Sequence, residues 1–401
     1  MATASALDSE VAEFSAFLTS APRDAQYATE VVNRLLQVAS GSGASDVHLD
    51  PTGEALAVRW RLDGVLHPLA TLPKQVGPNV IARLKVLAGL LTYETALPQE
   101  GRIRDAALQI EVRVSTFPTL FGERAVLRLL GSEEGTLSEL QSLGLPLAVL
   151  DELQRHLLAT TGAVLVVGPA GSGKTTTAYA CLRQVVSQSG GGRSVASLED
   201  PIEVAIAGVA QTQVNLPAGF DMASGLRSLL RLDPEVILIG EMRDRATAEI
   251  ALQAALTGQL VVTTFHAGDC RDAVNRLVDI GIAPYALRNA VRLIVAQRLV
   301  RRLCTCAAPG DAQEHAQPLG LKVERCRLPR GCDACRGTGY QGRSLVAEWH
   351  AVDRDGLSPT PANQPARGGL WASAEALVDA GITAPLEVIR VLGFRDVSVC
   401  E

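Results

Sequence analysis

The glycine-rich segment Gly168–Thr175 constrains the fold of this 401-residue chain more than any other feature. It fits the pattern G-x-x-x-x-G-K-[ST], it follows the apolar run Ala163–Val167, and a helical pattern from Thr176 to Val186 comes after it. A glycine loop between a buried strand and a helix lets backbone N–H groups surround a phosphate at the helix N-terminus. The segment therefore predicts a nucleoside triphosphate site on a parallel sheet that is covered by helices.

Each position of the loop has an expected task. The glycines allow a close approach of the backbone to phosphate, Lys174 is expected to reach the β- and γ-phosphates, and Thr175 is expected to hold Mg²⁺. Because the flanking strand and helix are both present, a chance glycine turn is disfavoured. ATP and Mg²⁺ are thus the predicted ligands, and the predicted binding residues are Gly168, Gly171, Ser172, Gly173, Lys174, Thr175 and Thr176.

Hydrolysis also requires a group that positions water, and Glu241 is the candidate. It follows the apolar run Val236–Ile239 directly after Gly240, which places it at the carboxyl end of a predicted buried strand. We expect it to act as a base or to orient water. The strand itself does not end in the usual Asp, so Mg²⁺ is expected to be held mainly by Thr175, the phosphates and water. The alternative for Glu241 is a helix N-cap.

Two further polar groups follow predicted strands. Glu199 and Glu203 come after the run Ser194–Leu198, and His266 ends the run Leu260–Phe265. The acids could reach metal-bound water, and an imidazole at a strand end could sense the γ-phosphate. From the residues alone, a solvated loop and a structural histidine are the simpler interpretations.

The order of the patterns indicates two domains. Residues 1–24 predict a weakly ordered arm or a single helix. Residues 25–131 predict a small α+β domain with a helix over Ala25–Val38 and a hairpin turn at Asp63-Gly64. Gly131–Gly135 is the expected linker, and strands alternate with helices in the remainder, residues 132–401.

Five of the eight cysteines cluster, and they predict a metal site. Cys332 and Cys335 form C-x2-C, whereas Cys304 and Cys306 form C-x-C, one residue short of the usual pair. We expect these four thiolates to bind Zn²⁺, with Cys326 as a substitute ligand and an incomplete cysteine-rich hairpin as the alternative. Since residues 304–340 contain few apolar side chains, the metal is expected to supply most of their folding free energy.

Composition excludes several classes of protein. The net charge is −6 and no basic, aromatic stripe is present, so nucleic acid is not an expected partner. No apolar run reaches the ~20 residues of a membrane span, and the first residues do not form a secretory signal. These features predict a cytoplasmic protein.

Several short motifs occur along the chain in a fixed order. They are Ala44–Leu49, Val58–Leu66, Pro98–Arg102, Val112–Thr116, Gly122–Arg124, Leu198–Glu203, Leu226–Arg231, Gly240–Asp244, Thr257–His266, Gln297–Cys304 and Gly337–Arg343. Together they resemble the motifs of the secretion and pilus-assembly ATPases of type II secretion and type IV pilus systems. The resemblance covers nearly the whole chain.

The resemblance implies a PAS-like N-terminal domain over residues 25–131, joined flexibly to a RecA-like ATPase domain over residues 132–401. The second domain would carry the cysteine-rich insertion 304–340 and a C-terminal helical part, 341–401. Nucleotide would lie between the domains of a homo-hexamer, and hydrolysis would move one domain against the other. The residue roles that the resemblance implies are Glu241 as catalytic acid, Glu199 and Glu203 near metal and water, His266 against the nucleotide, and Arg102 and Arg113 on the phosphates.

The function that the resemblance implies is that of a cytoplasmic ATP-hydrolysing motor at the inner membrane. It would drive pilus or pseudopilus assembly, with an inner-membrane platform protein and associated components as partners and membrane contact through those partners only. The long form of the family carries a further N-terminal domain for docking, and about 25 residues precede the PAS-like region here, so docking by that route is not expected. The alternatives are a pilus-retraction ATPase, whose relatives typically lack the cysteines, and a RecA-type nucleic-acid translocase.

Overall fold

The computed structural model describes residues 26–105, 110–130, 139–351 and 369–395, together with six positions of a helical stretch between residues 11 and 18. Most of the predicted arm over residues 1–24, and all of the expected linker Gly131–Gly135, lie outside the described residues. The chain divides into two compact units. One contains residues 1–134 and 331–338, and the other contains residues 135–330 and 339–401.

The first unit is a six-stranded antiparallel sheet with two helices packed on one face. The strand order is β3-β2-β1-β6-β5-β4. The elements are α1 (Tyr27–Gly41), β1 (Asp46–Pro51), β2 (Ala55–Leu62), β3 (Val65–Pro73), α2 (Gly77–Leu87), β4 (Gln99–Asp105), β5 (Ile110–Thr119) and β6 (Gly122–Leu130).

Alternation of side chains decides which face of this sheet is buried. Val47 and Leu49 of β1 are completely buried in the core beneath the helices, whereas Asp46 and His48 lie on the opposite face. Asp63, at the predicted hairpin turn, has φ 47° and the glycine after it has φ 82°, so the two-residue turn is confirmed. Pro78 lies in the first turn of α2, a position that proline favours because its missing N–H would have no partner there.

The second unit is a seven-stranded sheet of order β15-β12-β7-β11-β10-β8-β9. Its strands are β7 (Gly162–Val167), β8 (Val195–Glu199), β9 (Ala210–Gln213), β10 (Val236–Ile239), β11 (Leu260–Phe265), β12 (Val291–Leu303) and β15 (Tyr340–Ala351), with a separate pair formed by β13 (Ala308–Gly310) and β14 (Cys326–Leu328). Its helices are α3 (Leu147–Leu157), α4 (Lys174–Ser189), α5 (Met222–Leu229), α6 (Arg245–Thr257), α7 (Cys270–Asp279), α8 (Pro284–Ala290), α9 (Ala312–His315), α10 (Leu370–Asp379) and α11 (Pro385–Leu392).

The predicted α/β architecture is confirmed. In the order β12-β7-β11-β10-β8-β9, each strand of the sheet pairs in parallel with the next. Two apolar cores cover the two faces of the sheet. β15 alone pairs antiparallel, with β12. The expectation of a helical part throughout residues 341–401 is wrong in its first segment, because Tyr340–Ala351 is a strand whose residues Leu345–Ala347 are buried against the sheet.

The cysteine-rich insertion shares an apolar core with the C-terminal helices. Leu321 and Val323 of the insertion pack in one cluster with Leu370, Val378 and Val388. The segment therefore has apolar partners that its own composition does not reveal, since they come from a distant part of the sequence. Among the described residues, no helix combines the length and the apolar character that crossing a bilayer requires.

Candidate nucleotide-binding and metal sites

The loop between β7 and α4 is shaped by its glycines. Gly168, Gly171 and Gly173 have φ values of 157°, 73° and 86°, a region that other residues rarely adopt. A Cβ atom on Gly168 would lie 2.4 Å from the Ser172 Oγ and 2.6 Å from the carbonyl oxygen of Gln297. The backbone is therefore packed too closely for any side chain at that position.

The polar groups of this loop suit an anionic ligand. The Oγ of Ser172 is buried without a hydrogen-bond partner among the described residues. Lys174 opens the 16-residue helix α4, is only 8% exposed, and donates from Nζ to the Pro169 carbonyl at 2.9 Å. Thr175 and Thr176 occupy the next two positions of the helix. A buried ammonium and a buried hydroxyl at a helix N-terminus fit a phosphate chain.

Burial lowers the pKa of Lys174, and the carboxylates of Glu241 and Glu203 act in the opposite direction. Both acids are therefore close enough to the ammonium group to affect it. The structure thus brings the predicted lysine and two of the three predicted acids into one electrostatic environment.

Glu241 and His266 meet at the edge where β10 and β11 end. The Oε1 of Glu241 lies 2.7 Å from the Nε2 of His266, and its Oε2 accepts a hydrogen bond from the Nε of Arg243 at 2.6 Å. The main chain holds the pair in place, because the Met242 N–H donates to the Thr264 carbonyl at 3.1 Å. The Glu241 side chain is 17% exposed and that of His266 is 48% exposed, so both remain accessible from solvent.

Glu199 is in a different environment from the solvated loop that its sequence suggests. It is 2% exposed and its carboxylate accepts hydrogen bonds from the Tyr179 hydroxyl, the Ser197 hydroxyl and the Gln211 amide. Burial and the hydrogen bond to Glu199 raise the pKa of Tyr179, so its hydroxyl stays a donor at neutral pH. Glu203 is exposed, and its backbone N–H donates to the same hydroxyl at 3.1 Å.

Arg102 and Arg113 lie directly opposite each other on β4 and β5 of the first unit. Each already has an acidic partner in the same sheet. Arg102 pairs with Glu111 at 2.9 Å, and Arg113 pairs with Glu100 at 2.5 Å. The hydrogen bond from Arg113 holds the pKa of Glu100 below its usual value.

Sequence patterns alone assigned no role to two residues of β12 near the loop. Gln297 is completely buried and bonds to the loop and to α4, and Arg298 donates to the Gly268 carbonyl in the segment after His266. The signal in the sequence is that Gln297 and Arg298 directly follow the apolar run Leu293–Ala296 within the strand. Burial lowers the pKa of Arg298.

The four predicted cysteine ligands form one cluster. The sulfur atoms of Cys304, Cys306, Cys332 and Cys335 all lie within 4.8 Å of one another. The two sulfurs of the C-x2-C half are 3.8 Å apart, which matches the separation of about 3.8 Å between ligands of a tetrahedral ion with Zn–S near 2.3 Å. Cys326 lies in β14, outside the cluster. The donor set therefore fits a tetrahedral metal.

A strand, a glycine loop and a helix that begins with lysine, together with an acid at the end of a nearby parallel strand, define the class of P-loop nucleotide-binding proteins. Residues 22–366 match the family model described as "Type II/IV secretion system protein", and the chain belongs to that family.

Individual relatives agree with the family assignment. The chain is 41% identical over 330 residues to "Putative type II secretion system protein E" of Escherichia coli (strain K12), covering 80% of this chain and 66% of the relative. It is 38% identical over 339 residues to "Type IV pilus assembly ATPase PilB" of Thermus thermophilus, covering 82% of this chain and 38% of the relative. The chain thus spans 66% or less of the length of these relatives.

A solved structure supports the fold independently. The ATPase DotB of Legionella pneumophila superposes with a TM-score of 0.63 at 20% sequence identity, covering 92% of this chain and 96% of that one. At this level of identity the likeness concerns the fold alone, and it agrees with the predicted RecA-like architecture.

The burial of Glu199 predicts a structural contribution that Glu203 lacks. Glu199→Leu should lower the free energy of unfolding by about 1–3 kcal/mol, because it leaves buried donors without an acceptor. Glu203→Leu, at an exposed position, should change it by less than about 0.5 kcal/mol. Urea unfolding of both variants measures the difference, and equal stabilities would contradict the buried network.

Proposed function

We propose that this chain is an ATP-hydrolysing motor of pilus or pseudopilus assembly. The observation that carries the proposal is the 2.7 Å contact between Glu241 and His266 at the sheet edge that also holds the phosphate loop. Family membership and the names of the relatives, type II secretion protein E and a pilus assembly ATPase, support it.

The loop and α4 bind the nucleotide in this proposal. Backbone N–H groups of Gly171 to Lys174 donate to the β-phosphate, and the Lys174 ammonium neutralises charge shared by the β- and γ-phosphates. The Thr175 hydroxyl would hold Mg²⁺, which when bound supplies further positive charge to the phosphates. Thr176 and the orphaned hydroxyl of Ser172 complete the polar lining.

Glu241 orients the attacking water. As the water oxygen bonds to the γ-phosphorus and the bond to the bridging β–γ oxygen breaks, the carboxylate of Glu241 holds the proton that the water loses. His266 keeps that carboxylate in position and contacts the γ-phosphate. Glu203, which is exposed and acts electrostatically on Lys174, contributes to the water and metal environment. Glu199 acts on the same region through Tyr179, whose hydroxyl also accepts from the Glu203 N–H.

Arg102 and Arg113, which belong to the first unit, supply further positive charge to the γ-phosphate in this proposal. A guanidinium that approaches the γ-phosphate stabilises negative charge in the transition state, so domain closure and hydrolysis become coupled. The proposal includes this role of the arginines. It also includes a flexible junction between the two domains, residues 25–131 and 132–401, and assembly of the chain into a homo-hexamer.

The cysteine cluster is proposed to hold structural zinc. With Cys304, Cys306, Cys332 and Cys335 as ligands, all four tetrahedral positions are filled by sulfur, so no position remains for a reacting water. The metal would link the two ends of the insertion 304–340. It would take no part in binding or hydrolysing the nucleotide.

The proposed partners are further copies of the chain and a platform protein of the inner membrane, at whose cytoplasmic face the motor would act. Pilus retraction is the second candidate, and the resemblance to an assembly ATPase at 38% identity favours assembly. Translocation of nucleic acid is the least favoured, since the chain is acidic overall.

Glu241→Gln should bind ATP but hydrolyse it about 10²–10⁴-fold more slowly, because the amide cannot accept the proton from water. Phosphate release measures the rate, and the binding of a fluorescent ATP analogue measures the affinity. Glu249→Gln, at an exposed position of α6, is the matched control and should keep the unmodified rate. A normal rate for Glu241→Gln would remove this residue from the mechanism.

Arg113→Ala should lower the hydrolysis rate with little effect on ATP affinity, since its contribution is made to the transition state. Arg104→Ala is the control, because Arg104 lies on the neighbouring strand with a side chain that is 78% exposed. Steady-state kinetics on both variants test the expectation. Equal rates for the two variants would count against a role of Arg113 at the phosphates.

Zinc should co-purify at up to one atom per chain, and Cys306→Ser should lose it. Cys326→Ser should retain it, because Cys326 lies outside the cluster. Elemental analysis of protein purified without a metal-affinity tag gives the stoichiometry. Protein free of zinc in which all eight cysteines react as free thiols would contradict the proposed site.

A further inference from the structure

Gln297 connects β12 to the phosphate loop and to the helix that follows it. Its Nε2 donates to the Ser172 carbonyl at 2.8 Å, and its Oε1 accepts from the Thr177 hydroxyl at 3.0 Å. Because the Ser172 carbonyl can only accept a hydrogen bond, the nitrogen of the amide must face it. The side chain is completely buried, so both bonds lie away from water.

The loop is also folded closely around this side chain. A Cβ atom on Gly173 would lie 3.2 Å from the Gln297 Nε2, and one on Gly168 would lie 2.6 Å from the Gln297 carbonyl oxygen. Two of the three loop glycines with positive φ are thus adjacent to Gln297. The absence of side chains at these positions allows the approach that the hydrogen bond requires.

The bond to Ser172 fixes the orientation of one peptide group. In a trans peptide, the carbonyl of one residue and the N–H of the next point in opposite directions. When the Ser172 carbonyl faces Gln297, the Gly173 N–H is directed to the opposite side, away from β12. Gly173 is the N-cap of α4, where P-loops present their amides to phosphate.

We propose that Gln297 is a positioning residue that holds the Ser172–Gly173 peptide in its phosphate-binding orientation. The inference rests on the proposed nucleotide binding and adds a specific determinant of it. Gln297 acts on phosphate through the loop, and its second bond to Thr177 keeps the amide in a single rotamer.

The test uses the full chain and 2′/3′-N-methylanthraniloyl-ATP as the fluorescent probe. Gln297→Met keeps the size of the side chain but removes both bonds, so the Kd should rise about five- to tenfold. Gln253→Met, at an exposed position of α6, is the control and should leave the Kd unchanged. Thr177→Val should also weaken binding, but it should add nothing in the Gln297→Met background.

The pH dependence of the Kd of Gln297→Glu distinguishes a hydrogen-bonding role of this side chain from a role in packing alone. Ionised, the introduced carboxylate has no donor for the Ser172 carbonyl, whereas the protonated acid has one. Burial raises the pKa of such a group. The ratio of its Kd to that of the unmodified protein should therefore fall as the pH is lowered from 8 to 6.

The outcomes separate this inference from the proposed function. Lack of probe binding by the unmodified protein would overturn both. Normal binding by the unmodified protein, with an unchanged Kd for Gln297→Met or a Gln297→Glu ratio that is independent of pH, would overturn the inference alone. If Gln297→Met does not fold, as judged by circular dichroism, the pH dependence of Gln297→Glu and the Kd of Thr177→Val decide the question.

Discussion

Parallel strand pairing is the constraint on which the candidate site depends. β10 pairs with β8 on one side and with β11 on the other, and Ile239 is in register with both Leu198 and Thr263. Strands locked in this register end at the same edge, so the residues that follow them are neighbours. The backbone hydrogen bonds of the sheet therefore place Glu199, Glu241 and the phosphate loop close together, and no side-chain interaction is needed to do so.

The sequence predicted those parts of the structure that local patterns determine. The strand–loop–helix around Lys174, the turn at Asp63 and the cysteine pairs each lie within a few consecutive residues, so spacing alone was informative. Gln297 could not be assigned in this way, because its partner Ser172 is 125 residues away. The burial of Glu199 was missed for a similar reason, since its donor Tyr179 belongs to another element.

The stability of the insertion 304–340 also depends on residues that are distant in sequence, so local composition did not predict it. The small number of apolar residues within 304–340 suggested that metal binding would supply most of the folding free energy of this segment. Its buried side chains instead pack on Leu370 and Val378, helical residues that follow it by several dozen positions. Hydrophobic burial is decided by what is adjacent in space, so the apolar content of an isolated segment underestimates its support. The cysteine cluster and this shared core involve different parts of the insertion.

The pairing of Arg102 and Arg113 with carboxylates of their own sheet has a consequence for how anions reach them. In the proposed mechanism, an arginine that is bonded to Glu111 or Glu100 would exchange one anionic partner for another when it engages a phosphate. The free energy of that exchange would be the difference between two ion-pair interactions, one with the carboxylate and one with the phosphate. In the proposed mechanism, the carboxylates would therefore bind the two arginines again once the competing anion leaves, so the exchange would be reversible.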